Sequence, residues 1–172
     1  MNAMECLLNR RSIRKYKSQQ ITETELDSVL NAAVYAPTAK GSQSPLIVAV
    51  KDADDIAVMR KLNAEIMGTD TDPFYGAPCV VVVFAEKGNP NGVQDASLVL
   101  GNMMNAAYAT GLGSCWINRA KETFETPEGK KLMEKWGIGD GWIGVGNCIL
   151  GYADCEQPVP KARKENYIVK IG

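Results

Sequence analysis

The sequence predicts an α+β protein in which a mixed central sheet is flanked by helices. Helical and strand patterns interleave along the chain. One apolar run, Cys79-Val80-Val81-Val82-Val83-Phe84, has no polar alternation and reads as a central strand buried on both faces. No repeat, low-complexity stretch or linker divides the 172 residues, so one domain is expected over 1–172, domains commonly running to roughly 100–200 residues.

The elements follow in order. Residues 3–9 read as a short helix, broken by the polar run Arg10 to Lys17. Thr22 and Glu25 form a capping-box pattern, in which each side chain satisfies the other's orphan backbone donor. Leu26, Val29, Leu30, Ala33 and Val34 then recur at the spacing of one helix face. Pro37 closes that helix, because the residue before a proline is pushed out of the α region. A polar loop, Thr38 to Ser44, leads through Pro45 to an apolar strand, Leu46 to Val50. A second helix is expected over about 52–66, and Tyr75-Gly76-Ala77-Pro78 introduces the central strand. The helix from Gln94 to Thr110 is apolar or small nearly all the way round, which predicts burial on every side. One small domain seldom surrounds a helix completely, so a subunit interface is expected there. Ser114 to Ile117 reads as strand, Pro127 to about Trp136 as helix with proline in its first turn, and Ile143 to Leu150 as strand. The tail from Tyr152 is irregular and ends in Tyr167-Ile168-Val169.

Composition removes several kinds of chemistry. No apolar run approaches the ~18 residues that span a bilayer, and the first residues lack a basic leader followed by an apolar stretch, so a cytoplasmic protein is expected. Five cysteines (Cys6, Cys79, Cys115, Cys148, Cys155) are widely spaced, and histidine is absent. That argues against zinc, against any metal cluster, and against a Ser-His-Asp or Cys-His arrangement within one chain. The cysteines are expected to be reduced and mostly buried. Net charge is −1 but uneven: residues 1–20 carry five basic groups against Glu5, residues 157–172 four against Glu165, and the middle is acidic. Two basic ends on an acidic body suggest a compact anion site rather than a nucleic-acid surface. Neither a dinucleotide fingerprint nor a P-loop is present, since Gly144-x-Gly146 is followed by Ile149 and by no helix.

Four clusters could carry chemistry. Arg10, Arg11, Ser12 and Arg14 can surround a phosphate, because guanidinium groups match its oxygens as a bidentate fork. Lys161 and Arg163 follow two stiffening prolines. The loop Pro37, Thr38, Ala39, Lys40, Gly41, Ser42, Gln43 offers small residues whose backbone N–H groups could approach a flat polar ligand. Gly113, Ser114 and Cys115 begin a strand that a ring system could approach closely. Taken alone, each also reads as ordinary structure: a solvated turn, a solvated tail, a helix-to-strand connection, a packed thiol.

Taken in order, these pieces resemble the nitroreductase family along almost the whole chain. Arg10-Arg11-Ser12-Ile13-Arg14-Lys15-Tyr16 looks like its opening motif and Pro37 to Gln43 like its P-[ST]-x-x-N-x-Q loop. Tyr75-Gly76-Ala77-Pro78, Asp95 opening a small-residue helix that ends in Gly-Leu-Gly-Ser-Cys-Trp-Ile, and Lys161-x-Arg163 complete the match. The resemblance implies an intertwined homodimer with FMN at the interface, reduced by NADH or NADPH. Arg10, Arg11, Ser12 and Arg14 would hold the phosphate and ribityl chain, with Lys161 and Arg163 closing on it. The Pro37–Gln43 loop would come from the other subunit onto the ring, backbone near Gly113, Ser114 and Cys115 would meet the flavin edge around N5, and Tyr167 to Ile171 would extend onto the partner. A hydride would pass from NAD(P)H through flavin N5 to a small aromatic, nitro or quinone-type acceptor by a ping-pong route. No side-chain acid or base is then required, which fits a chain without histidine. Alternatives are a non-enzymatic flavin-binding or storage protein, another flavin reaction on the same scaffold such as dehalogenation or azoline oxidation, and a purely structural dimer. Gly41 stands where the family usually has Asn, and Ser44 where it usually has proline.

Overall fold

The computed structural model describes residues 2–172. Ten regular elements run in the order α1 (Ala3–Asn9), α2 (Glu23–Val34), β1 (Leu46–Val50), α3 (Ala53–Met67), β2 (Cys79–Glu86), α4 (Gly92–Ala109), β3 (Gly113–Ile117), α5 (Ala120–Glu125), α6 (Pro127–Lys135) and β4 (Trp142–Gly151), with a single 3-10 turn at Ala39–Gly41. This is the α+β architecture expected. The strands lie in the order β1-β2-β4-β3, and every neighbouring pair is antiparallel. The expected mixed character is confined to one parallel bridge, from Ser12 to Ser114.

Strand β2 explains its own composition. It lies between β1 and β4, with Val82 opposite Val48 on one side and Asn147 on the other. Its side chains alternate between two cores. Val80, Val82 and Phe84 join Ile56, Met59, Phe124 and Ile149 under α3, α5 and α6. Cys79, Val81, Val83 and Ala85 join Val29, Leu100, Met103 and Leu150 under α2 and α4. A polar residue at any of these positions would enter one core or the other, and so the run shows no alternation.

Local signals fix the helix ends. Thr22 and Glu25 form the capping box at α2, and Glu25 also accepts from the Tyr152 hydroxyl at 2.7 Å. Helix α2 ends at Val34, ahead of Pro37. Pro127 opens α6, with the Thr126 side chain accepting from Gly129 N. Helix α5 was not anticipated, because six residues with two apolar positions are too few to show a period. Four cysteines are buried, Cys155 is exposed, and all five are free thiols. Burial pushes the Cys79 thiol up to about 12.

Within one chain, helix α4 is buried on one side only. Ala96, Val99, Leu100, Met103 and Ala107 are buried against the sheet and α2, while Val93 and Leu98 are exposed on the outer face of the chain. Its Leu100 also packs at Gly146, where an added Cβ would lie 2.8 Å from both Leu100 Cδ1 and Trp116 Cε2.

Asp55 joins α3 to α6. It is 6% exposed, accepts from Lys135 Nζ at 2.5 Å and from Trp136 Nε1 at 2.8 Å, and so aligns the Trp136 ring beside Phe124. Burial alone would raise its carboxyl, but the bonds from Lys135 and Trp136 outweigh it and hold Asp55 below its ordinary value. A depressed carboxyl stabilises the fold above the ordinary carboxylate range and loses that contribution as pH falls through its folded value. Asp55→Ala is expected to lose about 2 kcal/mol at neutral pH, through an unpaired indole N–H and a lost charge-assisted bond. Urea unfolding at successive pH values checks this, and the gap from wild type should narrow only as pH falls below about 4, the ordinary Asp value.

Candidate anion and cofactor site

The segment after α1 is held as an extra edge of the sheet. Ile13 N donates to Ser114 O at 3.0 Å, Lys17 N to Tyr152 O at 2.9 Å, and Asp154 N to Lys15 O at 3.0 Å. Ile13 is 3% exposed. An added Cβ at Gly113 would lie 3.1 Å from the Ile13 side chain, so glycine at the start of β3 lets the two backbones approach. Tyr16 is buried and donates its hydroxyl to Ile13 O at 2.9 Å. Burial pushes its phenol far above the ordinary value, so it acts as a fixed donor. These bonds lead the chain leaving β4 back across the N-terminal segment. Gln157 Nε2 then donates to Asn9 O at 2.8 Å.

The two basic ends therefore converge. Arg10, Arg11, Ser12, Arg14, Lys161 and Arg163 all line one cavity of about 520 Å³. Lys164 and Tyr167 line it as well; their place was not anticipated, although Lys164 continues the same basic run. No lining residue is a carboxylate, and among the described residues none of these six cations has an ion-pair partner within 4.0 Å. Arg11 Nη1 donates to Leu8 O at 2.9 Å and Arg10 O at 2.6 Å, yet Arg11 Nε and Arg10 Nη1 are buried without an acceptor. Buried donors without partners cost stability unless a ligand satisfies them. Clustered like charges repel one another as well. Both costs fall when a phosphate enters, so the residues present fit a phosphate monoester.

A second cavity, of about 150 Å³, shares Arg14 with the first and runs along Cys115, Trp116, Ile117, Asn118 and Arg119, facing Tyr75. Gly113 and Ser114 lie beneath the N-terminal segment, with Ser114 only 2% exposed. Cys115, also 2% exposed, is a packed thiol at the second cavity's floor. Tyr75 belongs to the Tyr75-Gly76-Ala77-Pro78 motif but carries no expected place in the site, and Asn118 and Arg119 carry no motif.

The loop from Pro37 to Gln43 lines neither cavity. Lys40, Gly41 and Gln43 have φ of 57°, 66° and 51°, a left-handed conformation costly for the two non-glycine residues. Several of the loop's amides bond within the chain: Gly41 N donates to Thr38 O, Ser42 N to Ala39 O, and Gln43 N to Thr38 Oγ1. Ala39 N donates to Asp95 Oδ1 at 3.0 Å from the first turn of α4. The fold thus fixes the loop's shape from within and presents the side chains of Lys40 and Gln43 to solvent.

With this geometry established, comparison with known proteins assigns the chain. The model of the nitroreductase family matches residues 7–73 and 66–152, and the chain belongs to that family. A relative from Archaeoglobus fulgidus with the provisional name NADH dehydrogenase/NAD(P)H nitroreductase is 29% identical over 170 residues, covering 95% of this chain and 90% of its own. An FMN reductase (NADPH) of Bacillus subtilis is 26% identical, over 74% of this chain and 61% of its own. A solved nitroreductase of Bacteroides fragilis with bound FMN superposes with a TM-score of 0.88 at 25% identity, covering 100% of both chains.

Removing the Asp95 anchor is expected to loosen the loop without unfolding the protein. In Asp95→Ala, amide hydrogen exchange at Ala39 should speed by at least about tenfold, because a charge-assisted bond is lost, while the amides of β2 keep their protection.

Proposed function

We propose that the chain is an FMN-dependent NAD(P)H oxidoreductase, one FMN-binding domain over residues 1–172 that acts as a homodimer in the cytoplasm. The observation that carries this reading is the cavity where six cations from both ends of the chain meet without a counter-ion. The names of the Bacillus and Archaeoglobus relatives and the FMN in the Bacteroides structure support it. No helix among the described residues is long and apolar enough to cross a membrane.

Arg10, Arg11, Ser12 and Arg14 hold the phosphate on the rigid side, and Lys161 and Arg163 close on it from the tail. Bound FMN would supply the redox chemistry, taking a hydride at N5 from NADH or NADPH and passing it to a small aromatic, nitro or quinone-type acceptor in a ping-pong cycle. Arg14 lies on both cavities, so a ligand anchored by its phosphate can extend past Arg14 toward β3. Backbone at Gly113, Ser114 and Cys115 then supports the ring edge, and fixed cations favour the anionic reduced state over the neutral oxidised one. Pro37, Thr38, Ala39, Lys40, Gly41 and Gln43 reach the ring from the partner subunit. The apolar outer face of α4 and the exposed Tyr167, Ile168, Val169 and Ile171 supply the surface for that partner, and association would give α4 the burial its composition calls for.

An absorption spectrum of FMN-reconstituted, desalted protein tests the reading. Retained flavin that bleaches with anaerobic NADPH or NADH is the expected result. Retained flavin that bleaches with neither favours storage, and loss of flavin on desalting overturns the proposal. The double variant Arg10→Ala with Arg163→Ala should weaken FMN by about 3 kcal/mol or more, since charge-assisted bonds contribute roughly 1.5–3 kcal/mol each, and should change riboflavin affinity little. Equal losses for FMN and riboflavin would remove the phosphate assignment.

A further inference from the structure

Arg119 sits where no side chain rests cheaply. It is the residue before α5, with φ of 70° and ψ of 17°, a left-handed conformation disfavoured for a residue with a side chain. Its guanidinium is aimed by Asn63 of α3, which is 0% exposed. Asn63 Nδ2 donates to Asn118 O at 2.8 Å, and Asn63 Oδ1 accepts from Arg119 Nε at 3.0 Å. A fully buried amide is thus committed to fixing one backbone carbonyl and one guanidinium. The two terminal nitrogens of Arg119 have no acceptor among the described residues, and no carboxylate lies within 4.0 Å of them.

Arg119 also stands between two cavities. It lines the second cavity with Arg14, and a shallower one of about 480 Å³ with Asn118, Lys121, Glu122 and Gly144. The carboxylate in the second cavity, Asp72, is already engaged by Arg60 Nε at 3.1 Å and by Phe74 N and Gly76 N. That bonding holds Tyr75 at φ 55° on the opposite wall. The second cavity therefore offers an aromatic wall, two arginines and one neutralised acid.

We propose that Arg119, oriented by Asn63, is a specificity-determining residue that pairs with an anionic group on the molecule exchanging a hydride with the flavin. The proposal rests on the oxidoreductase reading above. The anion is either a carboxylate on an aromatic acceptor or the 2′-phosphate of NADPH; a strained, pre-aimed guanidinium recognises both through the four N–H donors on its two terminal nitrogens, Nε being held by Asn63.

The test uses FMN-loaded protein, wild type and Arg119→Gly. Glycine adopts this backbone conformation without strain, so the fold is retained. Arg119→Lys is the second variant; it keeps the charge but lacks the Nε–H that Asn63 holds. Benzoate and its neutral counterpart benzamide are titrated against the oxidised flavin spectrum, and KM is measured for NADPH and NADH. For a carboxylate-bearing acceptor, Arg119→Gly should weaken benzoate by at least about tenfold, leave benzamide nearly unchanged, and be partly rescued by lysine. A rise in KM for NADPH but not NADH instead identifies the donor phosphate as the anion, and equally supports the proposal. Unchanged benzoate affinity with unchanged NADPH preference overturns it. So does weaker FMN retention in Arg119→Gly with no loss of anion preference, because Arg119 would then serve the flavin itself. Wild-type protein that fails to hold FMN overturns the underlying reading as well, whereas wild type that holds FMN without any Arg119-dependent effect overturns only this inference.

Discussion

Mutual repulsion among six cations is the constraint around which the ends of this chain are arranged. Arg10, Arg11, Arg14, Lys161, Arg163 and Lys164 surround one cavity with no carboxylate on its walls, an arrangement that charged side chains in water would avoid. It persists because backbone bonds, not the side chains, set the positions. Ile13, Lys17 and Asp154 are tied to Ser114, Tyr152 and Lys15, and the buried Ile13 and Tyr16 anchor that edge in the core. The sheet supplies the stability and the cavity draws on it. A site of this kind costs folding free energy until an anion arrives.

The same logic orders the rest of the molecule. Strand β2, buried on both sides, makes the sheet rigid enough to carry a strained periphery. Four of the five left-handed non-glycine residues among the described residues lie in the loop (Lys40, Gln43) or on the second cavity (Tyr75, Arg119), and the fifth, Asn166, lies in the tail. Polar side chains fix three of these places: Asp95 of α4 for the loop, Asp72 of the α3–β2 connection for Tyr75, and Asn63 of α3 for Arg119.

Local physics made much of this legible in the sequence. The unbroken Val80 to Phe84 run, the Thr22–Glu25 box and Pro127 at a helix start each report a requirement that the residue itself carries. The meeting of the two basic ends on one cavity was legible in part, because both ends are basic and the family resemblance pairs them. What escaped depended on contacts distant in the chain. Asn63 and Arg119 are 56 residues apart in sequence, and neither has a pattern that signals the other. The outer face of α4 is apolar but exposed within one chain, because composition reports how apolar a surface is and not which molecule covers it. Nothing in Pro37 to Gln43 reveals that Asp95 and Thr38 accept from amides of the loop.

The tail wall of the cavity has a thermodynamic consequence. From Pro158 to Lys164 the chain forms one side of the cavity with neither helix nor strand, while the opposite side is part of the sheet edge. An occupant bridging the two therefore acts as a clasp between an ordered body and a strap whose own order is weakly enforced. By linkage, whatever stiffens the strap tightens the occupant, and whatever occupies the cavity stiffens the strap. Exposed apolar residues at 167–171 lie at the far end of the same strap, so a partner that covers them raises affinity for the ligand without touching it. On the proposed dimeric reading, cofactor loading and subunit association would be two readings of one ordering equilibrium.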